Sequence, residues 1–428
     1  MLKVEELKSV QQSRKSVLNV GNKTIPMPCF FTYLRNPSEL DYVCEWVEDC
    51  HSDNFQGIVL PLNKAKKIKS SKESRLGIKS LSGNEVERGY SSIKSSKLIF
   101  IDSKILENAY YRRNGKVIGI DLPDILSNII SLPPPIERTK KLNHYQNVID
   151  ELSNITTPDI LKFFKILKIL DADVLLPPTP LIVPEIPSSL RLSFKINKMA
   201  QEVCKTRDGW DTAYFFLLKT SVFENLDTLE EIYSFIDREK PKIVVFKITD
   251  PETLDNRNSF IQREHLKMFL KKMRFLSKTF EVAVFWFNLD ILGLFFAVSG
   301  SDGFCTPIDG YLSPRFAPLV SRPEHLKGRY FLYDKMAFIP FSVLVKIYES
   351  NRRVLPCNAD CCKKYNGKDI SRLGRLEKSR FTRRHYLGSI NKLMRELHES
   401  LNQEDIDGFF DKLANGECKN YVSILPNH

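Results

Sequence analysis

Short, continuous apolar runs recur along this chain, each followed by a longer stretch of helical periodicity. They are PCFFTY near residue 31, QGIVLP near 58, KLIFID near 99, ADVLLP near 174, AYFFLL near 215, KIVVF near 244, VAVFW near 283 and DGFCTP near 304. Runs that are apolar throughout, rather than alternating, belong to strands buried on both faces, and the spacing between them leaves room for crossover helices. Eight such strands predict an α/β protein of the (β/α)₈ TIM-barrel type. The intervening segments agree: LDTLEEIYSFI (226–236) and HLKMFLKKMRFL (265–276) repeat apolar residues at three and four, the pattern of helices packing on a sheet.

Two interruptions break the rhythm. Residues 63–97 are rich in Lys and Ser, and the wide gap from Asp121 to Asp171 holds the Pro133, Pro134, Pro135 run and two predicted helices. Both read as insertions on a barrel rim. Beyond the eighth run the character changes to a polar, cysteine-bearing stretch and then a basic helix, so the expected division is a barrel over 1–334 and a helical C-terminal subdomain over 335–428.

The most apolar stretch, Val282 to Ser299, is long enough to raise the question of a membrane span, but Asn288 and Asp290 sit at its centre, where charge is costly in lipid. A buried strand followed by a buried helix is the expectation, with no membrane. The first twenty residues lack the uninterrupted apolar core of a signal peptide. Nine cysteines scattered over 428 residues do not form the dense framework of a small secreted domain, which places the chain in a reducing cytoplasm.

In a barrel of this type the chemistry lies at the C-terminal ends of the strands. The polar residues there are Asp102 and Ser103 after the third run, Lys219 and Thr220 after the fifth, Lys247 and Asp250 after the sixth, Asn288 after the seventh, and Asp302 and Asp309 around the eighth. Two carboxylates facing each other across the mouth would serve as nucleophile and general acid at a glycosidic bond, because cleavage passes through an oxocarbenium-like state. The plainer alternative is that each Asp caps the helix that follows it. The seven histidines are too dispersed for a catalytic zinc centre, and no phosphate-binding glycine loop is present.

Cys357, Cys361 and Cys362, followed by His385, offer the ligand set of a structural Cys₃His zinc site, against the alternative of ordinary thiols. The net charge is +12, and two tracts exceed it between them: residues 63–97 carry ten Lys/Arg against three Glu, and residues 363–384 carry nine against two acidic residues. Concentrated positive charge attracts a phosphate backbone, which marks Lys66, Lys67, Lys69, Arg380, Arg383 and Arg384 as nucleic-acid contacts, with Tyr365, Phe381 and Tyr386 placed for stacking. A solvated lysine-rich loop is the alternative for the first tract.

Read in order, these features resemble the tRNA-guanine transglycosylase superfamily, including its relatives that insert 7-deazaguanines into DNA. KLIFIDSKILENAY is similar to the family's strand ending in Asp-Ser-Gly-Gly-Phe, with Lys104 and Ile105 in place of the glycines. AYFFLLKTSVFENL stands where the family has its base-recognition strand, with Lys219, Thr220 and Ser221 replacing Gln-Gly-Gly. In GSDGFCTPIDGYLSPR, Asp302, Phe304 and Cys305 match an Asp-x-Phe-Asp-Cys motif whose second aspartate is missing. The C-terminal cysteines and RFTRRHYLGSINKLMRELHE resemble its zinc loop and histidine-bearing helix.

The resemblance implies base exchange on tRNA or DNA, with Asp102 as acid/base, Asp302 or Asp309 as nucleophile, and a structural zinc. It also implies a base taken out of the helical stack, and a dimer with itself or a paralogue. Two other readings stay open. A barrel that keeps the nucleic-acid surface but has lost the chemistry would partner an active paralogue. A barrel enzyme for a small molecule would use Lys219 or Lys247 for Schiff-base or phosphate binding.

Overall fold

The computed structural model describes residues 16–34, 37–49, 52–65, 93–110, 120–132, 141–249, 264–289, 292–308, 329–333, 337–353, 355, 360–363 and 365–402. The chain enters through a hairpin, β1 (Ser16–Val20) and β2 (Lys23–Met27), and continues directly into β3 (Cys29–Tyr33). There follow α1 (Pro37–Asp49), β4 (Phe55–Pro61), β5 (Leu98–Asp102), α2 (Ile105–Tyr110), α3 (Asp124–Ser131), α4 (Lys141–Leu152) and α5 (Thr157–Ile169). The next elements are β6 (Val174–Leu175), β7 (Leu181–Ile182), α6 (Pro187–Lys205), β8 (Asp211–Thr212), β9 (Tyr214–Lys219), α7 (Leu226–Glu239), β10 (Ile243–Thr249) and α8 (Glu264–Phe280). Last come β11 (Ala283–Phe287), α9 (Leu292–Val298), β12 (Gly303–Pro307), β13 (Arg329–Leu332), β14 (Ala337–Pro340), α10 (Phe341–Ser350), α11 (Asp360–Lys363) and α12 (Arg375–Asn402).

Ten of these strands form one parallel sheet in the order β7-β9-β10-β11-β12-β3-β4-β5-β6-β8, curled into a half-barrel wall of a TIM-like α/β fold. Its two outermost members in that order, β7 and β8, belong to interrupted strands: β6 pairs with β8 and β7 with β9, while one residue separates β8 from β9. All eight apolar runs fall on strands of this sheet. The stretch from Val282 divides into β11 and α9 as its pattern predicts, and no described helix is long and apolar enough to cross a membrane.

Strand parity sorts the apolar residues into two cores. One lies between sheet and helices and takes Phe30, Phe55, Phe216, Phe246, Trp286 and Phe304. The other fills the concave interior with Phe31, Val59, Phe100, Val174, Phe215, Val245, Phe285 and Phe287. Phe31 meets Phe285 and Phe100 edge-on at 5.1 and 5.2 Å, and Phe100 meets Phe287 at 5.2 Å, so the interior is packed with aromatic rings rather than open. Gly57 is needed here, because a Cβ would lie 2.1 Å from the Leu98 carbonyl of the neighbouring strand.

The N-terminal hairpin closes the bottom of this interior. Leu18, Val20, Ile25 and Met27 join the inner core, and the strictly alternating burial of β2 shows why: one face is packed and the other wet. The hairpin is stapled by Lys23, whose ammonium donates to Asp173 Oδ2 and to the Lys97 carbonyl, each at 2.7 Å. A third apolar cluster, including Tyr330, Ile339, Phe341, Leu344, Tyr348, Cys362 and Phe381, lies apart from both cores. From Tyr386 onward α12 instead buries Leu387, Ile390 and Leu393 in the main core.

Candidate active site

The parity that points Phe31, Phe100 and Val245 inward brings Tyr33, Asp102 and Lys247, two residues further on, to the same side at the C-terminal ends of β3, β5 and β10. There they meet. Lys247 Nζ donates to Asp102 Oδ2 at 2.7 Å, and the Tyr33 hydroxyl donates to the same oxygen at 3.0 Å. The backbone N–H of Lys104, a residue held at φ +55°, donates to Asp102 Oδ1 at 3.2 Å. On its other side Lys247 pairs with Glu107 Oε2, in the first turn of α2. All three charged side chains are at most 3% exposed.

The electrostatics follow from this arrangement. Burial pushes the Asp102 carboxyl upward, but Lys247, Lys104 and the hydrogen bonds from Lys247 and Tyr33 outweigh it and hold the group below the usual carboxylate range. Burial likewise pulls the Lys247 ammonium down, and Asp102 and Glu107 more than reverse this. Burial, then the neighbouring Asp102, pushes the Cys305 thiol well up, and the same two causes followed by Glu107 do so for the Tyr33 phenol. The centre therefore holds an ionised Asp102 and a protonated Lys247, with Tyr33 a neutral donor.

Three polar atoms around the strand ends are buried and have no hydrogen-bond partner among the described residues: Glu107 Oε1, Thr179 Oγ1 in the loop before β7, and Ser221 Oγ just after β9. Buried polar atoms are normally paired, so these unmet groups are what a ligand with its own donors and acceptors would satisfy. Lys219, at the end of β9, pairs with Glu185 at 3.3 Å. Thr220 is buried at the head of the 3-10 turn that follows. Ser103 is half-buried beside Asp102. Asn288, at φ +68°, donates from Nδ2 to the Ile248 carbonyl and ties the end of β11 to β10.

Asp302 is not in this group. It precedes β12, and its Oδ2 accepts from Ser277 Oγ and from the Val284 N–H near the start of β11, each at 2.8 Å. Since strands rise about 3.3 Å per residue, the length of β12 puts it roughly 15 Å from the mouth. The expectation of a nucleophile at Asp302 is corrected: this carboxylate fastens the N-terminal ends of two strands and a helix. Asp309 and Asp250 lie outside the described residues, as do Lys66, Lys67, Lys69 and Cys357.

The arginines of the second basic tract are also placed differently from the expectation. Arg380 pairs with Glu45 Oε1 at 3.1 Å, Arg384 with Glu45 Oε2 at 3.5 Å, and Arg383 with the buried Glu39 at 3.5 Å while lying over the Tyr42 ring. Two of their three charges are offset in docking α12 against α1, and the free positive surface expected from the sequence is reduced accordingly.

Cys362 and His385 do come together. Cys362 Sγ lies 3.0 Å from His385 Nδ1, and the ring is stacked on Tyr330 with centroids 3.9 Å apart. His385 Nε2 lies 2.6 Å from the Phe331 carbonyl, which can only accept, so the ring proton sits on Nε2 and Nδ1 is turned with its lone pair toward the thiol. A backbone carbonyl fixing the far nitrogen is the usual support of a metal-binding imidazole. Among the described residues no group of three metal-ligating side chains is assembled. Tetrahedral zinc holds its sulfur and nitrogen ligands about 3.5 Å apart, so the pair would part by about half an ångström to admit the ion.

Glu107 was not foreseen from the sequence. Its signal is faint: a carboxylate five residues after Asp102, one turn into the helix leaving the strand. No known family model and no curated protein matches the chain.

Proposed function

We propose that this chain is a nucleic-acid base-exchange enzyme of the guanine/7-deazaguanine transglycosylase type, built on a full eight-strand (β/α)₈ barrel in which β6 with β7, and β8 with β9, each count as one strand. The observation that carries the reading is the Asp102–Lys247–Glu107 cluster at the C-terminal strand ends. Buried ion pairs rarely repay their desolvation, and well-packed apolar residues in their place are often neutral or stabilising. A cluster of this kind at the face where barrels do their chemistry is therefore best explained by use.

In this reading Asp102 is the carboxylate that meets the sugar carbon as the base departs, either bonding to it or stabilising its positive charge. Its lowered pKa suits a nucleophile rather than the acid that the family resemblance implied. Lys247 and Tyr33 hold it ionised and aimed, and Glu107 Oε1, Thr179 and Ser221 receive the donors and acceptors of the incoming base. Asp309 remains a second carboxylate for proton transfer. Lys66, Lys67 and Lys69 would hold phosphates of tRNA or DNA. Cys357, Cys361, Cys362 and His385 would hold a structural zinc in the C-terminal subdomain, and the thiols of Cys29, Cys44, Cys204 and Cys305, which form no disulfide among the described residues, fit a cytoplasmic location.

The second reading, a non-catalytic nucleic-acid-binding barrel that partners an active paralogue, is favoured by one observation: both oxygens of Asp102 are already occupied and the side chain is sealed. Incubation with labelled guanine and 7-deazaguanine, in the presence of tRNA or duplex DNA, separates the two. Incorporation that disappears in Asp102→Asn supports the enzyme; nucleic-acid binding without incorporation, unchanged in Asp102→Asn, supports the binding subunit.

A further inference from the structure

A basic pair on α8 has no role in the mouth chemistry. Arg274 is only 6% exposed, and neither Nη1 nor Nη2 has a hydrogen-bond partner among the described residues. Its aliphatic stem lies over Gly300, at φ +97°, where a Cβ would come within 2.6 Å of Arg274 Cδ, so the turn between α9 and β12 keeps a glycine to seat this side chain. Ser299 and Ser301 flank that glycine and are themselves largely buried. Lys278 stands four residues on, one helical turn away on the same face; burial and then the charge of Arg274 lower its pKa.

Neither cation has an ion-pair partner among the described residues, and the nearby Asp302 directs Oδ2 to Ser277 and the Val284 N–H. Burial alone pulls the Arg274 guanidinium down to about 10, which still leaves it fully charged at neutral pH. A buried, unpaired guanidinium is among the costliest groups a fold can hold, and it cannot escape by losing its proton.

We propose that Arg274 and Lys278 form an oxyanion site at the N-terminal end of the barrel sheet, remote from Asp102, whose ligand is inorganic phosphate or a small phosphate monoester. Two cations unpaired among the described residues match the charge of about −1.5 to −2 that a phosphate monoester carries at pH 7, and the two Nη atoms form the fork that binds two phosphate oxygens side by side. The serine hydroxyls of the 299–301 turn supply further donors. This site is independent of the base-exchange reading.

The test uses the full-length protein in a buffer free of phosphate, with sodium phosphate titrated against sodium chloride of equal ionic strength, and reads the melting temperature and the heat of binding. The expected result is a saturable rise in melting temperature with phosphate alone and a single binding isotherm. Arg274→Met should weaken binding at least tenfold while melting no lower than the parent without phosphate, because it removes an unpaired buried charge. Lys278→Met, on a more exposed side chain, should weaken binding several-fold without changing the phosphate-free melting temperature. It reads the site alone if Arg274→Met does not fold. Identical melting in phosphate and chloride overturns the proposal. So does an undiminished phosphate response in either variant.

Discussion

Lys247 Nζ lies 2.7 Å from Asp102 Oδ2, and the two side chains are 1% and 3% exposed, although 145 residues separate them in the chain. The pair joins β10 to β5 across the mouth of the sheet, and Glu107 on the far side of the ammonium makes it a triad. Its consequences for stability and for chemistry can be measured separately.

Removing one member leaves a buried charge without its counterpart. Lys247→Met is expected to destabilise the protein by about 3 to 5 kcal/mol, and adding Asp102→Asn to it should return part of that loss, because the second change removes the stranded carboxylate. Urea denaturation of the two single variants and the double variant gives the coupling directly. Additive losses would show that the two groups do not interact.

The pH dependence has two limbs with opposite signs. Asp102 has its pKa depressed in the folded state, so its contribution is complete above the unfolded value of about 3.9 and is lost as pH falls through the folded value. Lys247 has its pKa raised, so its contribution is complete below the unfolded value of about 10.4 and is lost as pH rises through the folded value. The urea midpoint of the parent protein, followed from pH 2 to 11, should show both losses, and the Lys247→Met, Asp102→Asn double variant should show both limbs diminished.

Asp302→Asn tests the reassignment of that residue. The amide oxygen still accepts from Ser277 and Val284, but weakly, so a stability loss of about 1 to 3 kcal/mol is expected without a change in the chemistry of the folded fraction. A catalytic defect at full stability would return Asp302 to the reaction.

For the C-terminal pair, metal analysis of the purified protein should find about one zinc per chain, held by a set that includes Cys362 and His385. Cys362→Ala should lose the zinc, and chelation should lower the melting temperature of the parent but not of the variant. Full zinc content in the variant would place the metal elsewhere.

The fold was largely readable because its signal is local. A strand buried on both faces is apolar nearly throughout, so PCFFTY, KLIFID and KIVVF, which form β3, β5 and β10, declare themselves without reference to their partners. The hairpin β1–β2 was missed although SVLNVGNKTIPM alternates about a Gly-Asn turn, because a two-stranded element falls outside the repeating strand-helix rhythm. The site was readable only in part. Asp102 and Lys247 follow apolar runs and so lie at strand ends, whereas Asp302 precedes its run, and in a parallel sheet that order alone sends it to the opposite end. Glu107 depends on a partner 140 residues away. Counting charge also overstated the free basic surface at Arg380, Arg383 and Arg384, since Glu39 and Glu45, which pair with them and offset two of their three charges, lie more than 330 residues earlier in the sequence.

Base exchange at Asp102 is read most directly as transfer of labelled guanine or 7-deazaguanine into tRNA and into duplex DNA by the parent protein, Asp102→Asn and Asp302→Asn, each at a temperature where it is fully folded. Incorporation into one polymer is expected, abolished in Asp102→Asn and retained in Asp302→Asn. Equal incorporation by Asp102→Asn and the parent, or its absence from every protein while nucleic acid is still bound, would contradict it.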